Sequence, residues 1–203
     1  MLSKFLKPSE FKYTLLTVIL TCGVILSPIL SNRIIDIFTF KATLGTILVT
    51  IMYGFVDVIN NDFGIKKAKD SVLIATITKI IMATTIYLLL VIPFFKETIG
   101  FLPILSTAFR IEIATVFSLF ISQYFIDVKI FDYFRSKTQS FFIRYTLSNL
   151  SQIIGISIMI LIAFAGTGMN LFHLIIGNII IRFGLQFLLT PFYALLTFKS
   201  KKI

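Results

Sequence analysis

Polar residues recur at helical spacing inside several apolar stretches of this 203-residue chain. Successive residues of an α-helix turn by about 100°, so positions i, i+3, i+4 and i+7 share one face. Each stripe therefore presents carboxylate, amide, hydroxyl or guanidinium groups together, which suits hydrogen bonding to a small polar molecule. The stripes are Asp57, Asn60, Asn61 and Gly64; Gln123 and Asp127, with Glu112 near the same face; Arg144, Ser148, Ser151 and Gly155, with Gln152 beside them; and Asn178, Arg182 and Gln186.

Each stripe also has a structural interpretation. Small and hydroxyl-bearing residues pack membrane helices together, and amides can bond across a helix interface without touching a substrate. Arg110 and Arg182 cannot lose their protons, so each needs a partner or a water-filled cavity, and Glu112 and Asp127 are available partners. The sequence leaves open whether these carboxylates neutralise the arginines or contact a ligand.

Motifs for catalysis, metal binding or ATP hydrolysis do not appear in the sequence. His173 is the only histidine, and no other histidine, cysteine or carboxylate stands at ligand spacing from it, which makes a metal site improbable. There is no glycine-rich lysine loop for nucleotide phosphates and no nucleophile motif. The single cysteine, Cys22, cannot form an internal disulfide. We therefore expect neither an enzyme nor a cofactor.

Composition sets the class of the chain. Apolar residues make up 57% and charged residues only 14%, with a mean hydropathy of +0.98, whereas soluble domains have about 25% charged residues. A helix needs about 20 apolar residues to cross the hydrocarbon core. The sequence predicts an all-α, polytopic membrane bundle of six transmembrane helices, one domain over residues 1–203. The predicted spans are 12–31, 42–61, 71–95, 105–127, 141–166 and 172–198.

Lysines and arginines crowd between alternate spans and predict the orientation of the bundle. Under the positive-inside rule both termini lie in the cytoplasm. The net charge of +10 is then a topology signal with some affinity for anionic lipid, and we expect no nucleic-acid partner. The cytoplasmic segments hold Lys4, Lys7, Lys12, Lys66, Lys67, Lys69, Lys129, Arg135, Lys137, Arg144, Lys199, Lys201 and Lys202; the opposite side holds Arg33, Lys41 and Lys96.

Several blocks resemble a known family. Asp57-Val58-Ile59-Asn60 leading to Gly64-Ile65-Lys66-Lys67-Ala68-Lys69 resembles the pattern D-x-x-[NT]…G-x-x-x-A-[RK] of the queuosine-precursor transporters, also called the vitamin-uptake-transporter-like family. Arg110 through Gln123 and Asp127 to Phe131 resembles its R-x(12)-Q-x-x-x-D-x-x-x-F block. The fifth span, from Arg144 through Ser148 and Gln152 to Ile162-Ala163-Phe164, resembles the next block, and Asn32, Pro191 and Tyr193 also fit.

Three positions depart from the family pattern. A proline is usual near Thr50, an aspartate is usual at Gly155, and a lysine is common at Arg182. If the missing aspartate contacts substrate in relatives, the site of this chain has been altered.

The resemblance implies uptake of 7-deazaguanine compounds, which are precursors of the tRNA nucleoside queuosine or its free base, queuine. It also implies a bacterial cytoplasmic (inner) membrane location and a likeness to substrate-binding components of energy-coupling-factor transporters. We predict a substrate site at Asp57, Asn60, Arg110, Gln123, Asp127, Ser148, Gln152 and Arg182, and we expect Asp57, Gln123 and Asp127 to reach one polar cavity.

Other functions remain open at the level of sequence. The leading hypothesis is a stand-alone secondary transporter working by alternating access. One alternative is a substrate-binding component that needs a separate ATPase module, and another is a structural membrane protein that transports nothing. The driving ion, the particular deazaguanine and whether the chain forms a homo-oligomer are not determined by the sequence.

Overall fold

The computed structural model describes residues 9–91 and 102–197, which form helices and one β-hairpin. In chain order the elements are α1 (Glu10–Ser31), β1 (Ile34–Ile37), β2 (Phe40–Thr43), α2 (Gly45–Val91), α3 (Leu102–Ser118), a π-helix (Leu119–Asp127), α4 (Val128–Arg135), α5 (Phe141–Ser148), α6 (Ser151–Phe164) and α7 (Leu171–Leu196). The predicted all-α bundle is confirmed. The predicted end of the third span, residues 92–95, lies outside the described residues.

Within the described residues, five helical stretches are long and apolar enough to cross a membrane. Their apolar runs reach or exceed the roughly 20 residues that a hydrocarbon core requires. The chain is therefore a multi-pass membrane protein. The stretches are Glu10–Ser31, Gly45–Val91, Ser106–Arg135, Phe141–Phe164 and Leu171–Leu196.

The longest helix, α2, changes direction at Gly64. Its 47 residues would span about 70 Å if straight, more than twice the hydrocarbon thickness. Gly64 has φ 84° and ψ 173°, a backbone conformation open almost only to glycine. The break divides α2 into an N-terminal arm (residues 45–63) and a C-terminal arm (residues 65–91).

Helix α1 packs against both arms of α2, and it does so in opposite directions. Followed from its C-terminus to its N-terminus, α1 contacts Gly45 of the N-terminal arm first and Met52 next. Followed in the opposite direction, α1 contacts Ser71 of the C-terminal arm first and Lys79 next. The arms are thus antiparallel to each other, as two separate membrane crossings would be. Six crossings stay a prediction, because α2 counts as a single stretch among the five that are long enough to cross a membrane.

Three local features differ from the predicted spans. Residues 42 and 43, predicted to begin the second span, belong to strand β2, and the helix starts at Gly45. The antiparallel β1–β2 hairpin pairs Ile34 with Thr43 and Ile37 with Phe40. The predicted fourth span contains the π-helix, and the fifth is interrupted at residues 149–150. Short strands and a π-turn leave little trace in hydropathy, because they lie inside or beside longer apolar runs.

The hairpin is fastened to α7, and together they cover one end of the bundle, the hairpin end. The Asn178 side-chain oxygen accepts hydrogen bonds from the Thr43 backbone N–H at 3.2 Å and the Thr43 hydroxyl at 3.0 Å, and also from the Thr46 hydroxyl. Gly177 lies so close to the hairpin that a Cβ there would be 2.1 Å from the Lys41 carbonyl oxygen. A larger residue at position 177 would push the hairpin away.

A charged cluster closes the opposite end, which we call the Gly64 end. The Lys12 ammonium donates to Asp62 Oδ2 at 2.7 Å and to the Leu196 carbonyl at 2.6 Å, so α1, α2 and α7 meet at one buried group. Arg135 Nη1, at the end of α4, donates to the Asn60 carbonyl at 3.2 Å. This contact satisfies a carbonyl near the C-terminus of the N-terminal arm, where helical partners run out.

A second buried ion pair lies between the C-terminal arm of α2 and α3. Lys79 Nζ is 3.0 Å from Glu112 Oε1, both side chains are at most 1% exposed, and Lys79 also donates to the Val24 carbonyl at 3.0 Å. Lys79 stands 15 positions beyond Gly64 in the chain, about 22 Å of helix rise. The pair therefore lies deep in the bundle, where an unpaired charge would be costly.

Replacing Gly64 by alanine should destabilise the protein by about 1–3 kcal/mol, because alanine is strained at φ 84°. The control is Gly184→Ala, since a Cβ at this exposed α7 position meets nothing within 4 Å. Thermal unfolding of the detergent-solubilised protein, followed by circular dichroism, would measure both. Equal melting temperatures for the two variants would contradict a strained Gly64.

Removing one member of the Lys79–Glu112 pair should destabilise the bundle by about 3–5 kcal/mol, because the remaining charge stays buried without its partner. Lys79→Met and Glu112→Gln together should cost much less than the sum of the single changes. The control pair is Lys41 and Asp36, which is exposed on the hairpin and should give almost no effect. Thermal unfolding of the parent, the three variants and the controls tests this, and strict additivity at Lys79 and Glu112 would refute the coupling.

Candidate functional site

Seven of the eight predicted site residues lie on four neighbouring elements. The N-terminal arm of α2 carries Asp57 and Asn60, the π-helix carries Gln123 and Asp127, the α5–α6 junction carries Ser148 and Gln152, and α7 carries Arg182. All seven side chains are at most 4% exposed. Polar side chains buried at membrane depth are costly unless the protein or a ligand satisfies them. We call these seven residues, with Tyr53, the polar cluster.

Two carboxylates form the centre of the polar cluster. Asp57 and Asp127 interact electrostatically, and Ser148 lies beside both of them. The Ser151 hydroxyl, at the start of α6, donates to Asp127 Oδ1 at 3.1 Å. Asn60 is tied to the same region, because its Nδ2 donates to the carbonyl of Val128 at 2.9 Å. Asp57 and Asp127 therefore lie near each other, and the expectation that both reach one polar cavity together with Gln123 stays a prediction.

The π-helix decides how its carboxylate faces the bundle. A π-helix closes hydrogen bonds over five residues instead of four, so its side chains advance less per residue around the axis than in an α-helix. Asp127 reaches Ser151, while Glu112, fifteen residues earlier, pairs with Lys79. The α-helical interpretation had placed Glu112 near the same face as Asp127. The π-turns separate the two carboxylates and give each its own partner.

A helix break supplies another side of the polar cluster. Helix α5 ends at Ser148 and α6 starts at Ser151, and Asn149 Nδ2 donates to the Tyr145 carbonyl at 2.6 Å. Gln186 Nε2 of α7 donates to the same carbonyl at 3.2 Å. Discontinuous membrane helices recur at substrate sites, because the freed backbone groups line a cavity. The broken fifth span therefore fits a binding role as well as a packing role.

Several atoms of this region have no hydrogen-bond partner among the described residues. Most buried polar side-chain atoms are paired, so a group of unpaired ones in one place requires an explanation. They include donors and acceptors in similar number, which matches a ligand that carries both. The atoms are Asp57 Oδ1, Asn60 Oδ1, Gln123 Nε2 and Oε1, Arg182 Nε and Nη2, and Gln186 Oε1, whereas the Gln152 amide lies beside Asp127.

Arg182 is held in place by an aromatic ring. Its guanidinium carbon lies 4.8 Å from the centroid of the Tyr53 ring, a distance at which the cation is attracted to the ring face. Both residues line a cavity of about 20 Å³ between the polar cluster and the hairpin end. That volume suits about one water molecule. A heterocycle therefore needs the helices to separate before it can enter.

The aromatic residues near the polar cluster have different partners. Tyr53 belongs to the polar cluster, but Phe63 packs against Tyr13, and Tyr124 stacks on Phe120. Tyr145 was not predicted. It is 1% exposed and interacts electrostatically with Asp57, Asp127 and Arg182. Its signal in the sequence is weak, because only its position three residues before Ser148 places it on that stripe.

Arg110 lies apart from the polar cluster. Its side chain is exposed, and Nη2 donates to the Ala165 carbonyl at 2.6 Å, at the hairpin end of α6. Neither Glu112 nor Asp127 serves as its ion-pair partner among the described residues. Sequence proximity suggested Glu112 as the partner, but Lys79 occupies that carboxylate. We therefore leave Arg110 out of the candidate site.

The departure at Gly155 has a structural counterpart. A Cβ at this position would lie 2.6 Å from the Ser122 hydroxyl and 3.0 Å from the Ser118 hydroxyl. Ser118 in turn donates to the Gly155 carbonyl at 2.8 Å. An aspartate at position 155 would require both serines to move, so this chain has a close serine–glycine contact where the family pattern suggested a carboxylate.

Metal ligands do not gather in the described part of the chain. No group of three or more histidine, cysteine, aspartate or glutamate side chains lies within reach of one ion there. His173, the only histidine, has its Nδ1 3.2 Å from the Thr39 carbonyl and its ring beside Phe40. In this structure it contacts the hairpin rather than the polar cluster.

Comparison with known proteins places the chain in a transporter family. A family model described as "Putative vitamin uptake transporter" matches residues 43–196, which include every residue of the polar cluster. Neither a curated protein nor a solved structure matches the chain. The family match agrees with the resemblance seen in the sequence blocks and supports a role in transport. This chain belongs to the vitamin uptake transporter family.

Proposed function

We propose that this protein takes up 7-deazaguanine compounds, precursors of queuosine or queuine itself, through the polar cluster. The observation that carries the proposal is the set of buried, unpartnered donors and acceptors around Asp57 and Asp127. A membrane bundle has no structural use for unsatisfied polar atoms, since each costs free energy in a low-dielectric interior. A ligand with matching groups would supply the missing partners.

The edge of a guanine-like ring explains the choice of ligand. It presents an N–H and an amino group side by side, next to a carbonyl oxygen. A carboxylate accepts from two such donors at once, and an amide such as Gln123 or Asn60 offers groups for the carbonyl or the ring. A site built this way rejects molecules that lack the edge, because its own groups would then remain unpaired. Tyr53 and Tyr145 offer apolar faces for the flat ring.

Closure at both ends favours transport by alternating access. The Asn178–Thr43 contacts cover the hairpin end, and the Lys12–Asp62 pair with the Leu196 carbonyl covers the Gly64 end. A cavity of about 20 Å³ cannot hold a purine-sized ring, so this conformation is closed to substrate on either side. A carrier that works alone needs each end to open in turn while the other stays closed.

The arrangement of basic residues supports an orientation with both termini in the cytoplasm, and the family resemblance points to the bacterial cytoplasmic membrane. The Gly64 end carries Lys12, Lys66, Lys67, Lys69 and Arg135, whereas the hairpin end carries Arg33, Arg110 and Lys41, which is paired with Asp36. Basic loops are retained on the cytoplasmic side. On this proposal substrate enters from the hairpin end and leaves at the Gly64 end.

Neutralising one carboxylate should weaken ligand binding. We expect Asp57→Asn or Asp127→Asn to lose about 2 kcal/mol, roughly 30-fold in affinity, for whichever carboxylate accepts the paired donors. Asp36→Asn is the matched control, because Asp36 is exposed on the hairpin and far from the polar cluster. Titration calorimetry with a 7-deazaguanine measures the affinities of the purified parent and of the three variants. An adenine analogue should compete poorly with that ligand.

Cells lacking their own queuosine synthesis provide the functional readout. At limiting precursor, the parent and Asp36→Asn should restore queuosine in tRNA, and the carboxylate variant identified by calorimetry should not. If both Asp57→Asn and Asp127→Asn restored queuosine as well as the parent, the carboxylates would be structural and the recognition scheme would be wrong.

Reconstitution of the purified protein into liposomes distinguishes a stand-alone carrier from a substrate-binding component and from a structural membrane protein. Liposomes containing only this chain should accumulate or equilibrate labelled 7-deazaguanine faster than empty liposomes, in a saturable manner. Saturable binding without uptake would indicate a substrate-binding component that needs an ATPase module. Absence of both binding and uptake would favour a structural membrane protein.

A further inference from the structure

Arg182 presents a donor pair that no described residue uses. Its Nε and Nη2 atoms are both buried and without hydrogen-bond partners, and the side chain is 4% exposed. These two nitrogens lie on one edge of the guanidinium, so their N–H bonds form a parallel fork. No carboxylate among the described residues lies within ion-pair distance of Arg182. A buried fork left open in this way is available to acceptors that the described residues do not supply.

The surroundings fix where the fork can act. Tyr53 packs against the guanidinium at 4.8 Å, which limits the rotation of its plane. Arg182 borders the 20 Å³ cavity, and it lies near enough to Asp127 to interact with it electrostatically. One small ligand could therefore contact the carboxylates with one edge and the fork with another.

Resting on the proposed function, we infer that Arg182 reads a pair of neighbouring hydrogen-bond acceptors on the substrate. The substrate class is a flat oxo-heterocycle with a second acceptor beside its carbonyl. That acceptor is either a ring nitrogen, as in guanine, or an acceptor-bearing substituent at the corresponding carbon of a 7-deazaguanine. Arginine makes the same pair of hydrogen bonds to the carbonyl oxygen and ring nitrogen of guanine in DNA. A ligand with only the carbonyl leaves one N–H of the fork unsatisfied, and a cationic substituent is repelled.

Lysine cannot replace this function, although lysine is common at this position in the pattern that the chain resembles. An ammonium is a point charge with rotating donors, whereas the guanidinium holds two donors in fixed parallel geometry. Arg182→Lys therefore keeps the charge and removes the fork. The variant therefore shows whether ligand binding requires only a positive charge at position 182 or the two parallel donors of arginine. If the parallel donors are required, Arg182 determines which ligands the site accepts.

The test compares ligands that differ at one position in two proteins. Binding of guanine, 7-deazaguanine and 7-cyano-7-deazaguanine is measured by calorimetry with the detergent-solubilised parent and with Arg182→Lys. In the parent, the two ligands with a second acceptor should bind about tenfold tighter than 7-deazaguanine, as expected for one hydrogen bond to a charged group. In Arg182→Lys that preference should shrink to about twofold or less.

Each other outcome rejects the inference in a distinguishable way. Equal binding of all three ligands by the parent would show that the fork reads no second acceptor, whether or not the variant folds. An undiminished preference in Arg182→Lys would assign the discrimination to another residue. Replacing chloride by gluconate at constant ionic strength is a further check. If ligand binding then becomes weaker, a chloride ion occupies the fork together with the ligand, and the substrate does not contact the fork. No binding of any ligand by the parent would reject the proposed function itself.

Discussion

The whole bundle depends on one constraint, which is that polar groups inside the hydrocarbon must find their partners within the protein or on a ligand. The chain meets this constraint in two different ways. Lys79 and Glu112 neutralise each other at 3.0 Å, and Lys12 is satisfied by Asp62 and a helix-end carbonyl. Around Asp57, Asp127 and Arg182, by contrast, several buried atoms remain open. The polar groups that have partners belong to the scaffold, and those without partners mark the candidate site.

Backbone irregularities gather around the open groups. The π-helix carries Gln123 and Asp127, the interruption at residues 149–150 lies between Ser148 and Ser151, and the Gly64 break follows Asn60 by four residues. Regular α-helices would satisfy their own backbone but would fix side-chain directions at one spacing. Departures from that spacing let four elements aim polar groups at a common point. Such departures are frequent at functional sites.

Much of this arrangement could be predicted from the sequence, for a physical reason. Charges and amides are so rare in membrane spans that Asp57, Asp127 and Arg182 were recognisable without a structure. The hairpin was not predictable, because two strands of four residues do not differ in hydropathy from a helix start. The partner of Glu112 was also missed. Arg110 is two residues away in sequence, whereas Lys79, the true partner, is 33 residues away and is brought close only by the packing of α2 on α3. Likewise, the collision that excludes a side chain at Gly155 depends on Ser118 and Ser122 of another helix.

The contact between Lys12 and the Leu196 carbonyl joins residues 184 positions apart, and this separation has a consequence for biogenesis. Membrane helices are delivered to the bilayer in order of synthesis, from the N-terminus onward. Lys12 arrives with α1, and Asp62 follows with α2, but the Leu196 carbonyl comes only with α7. The contact that joins α1, α2 and α7 can therefore form only after α7 has been inserted. It makes the closing of this end of the bundle a late event rather than a stepwise one.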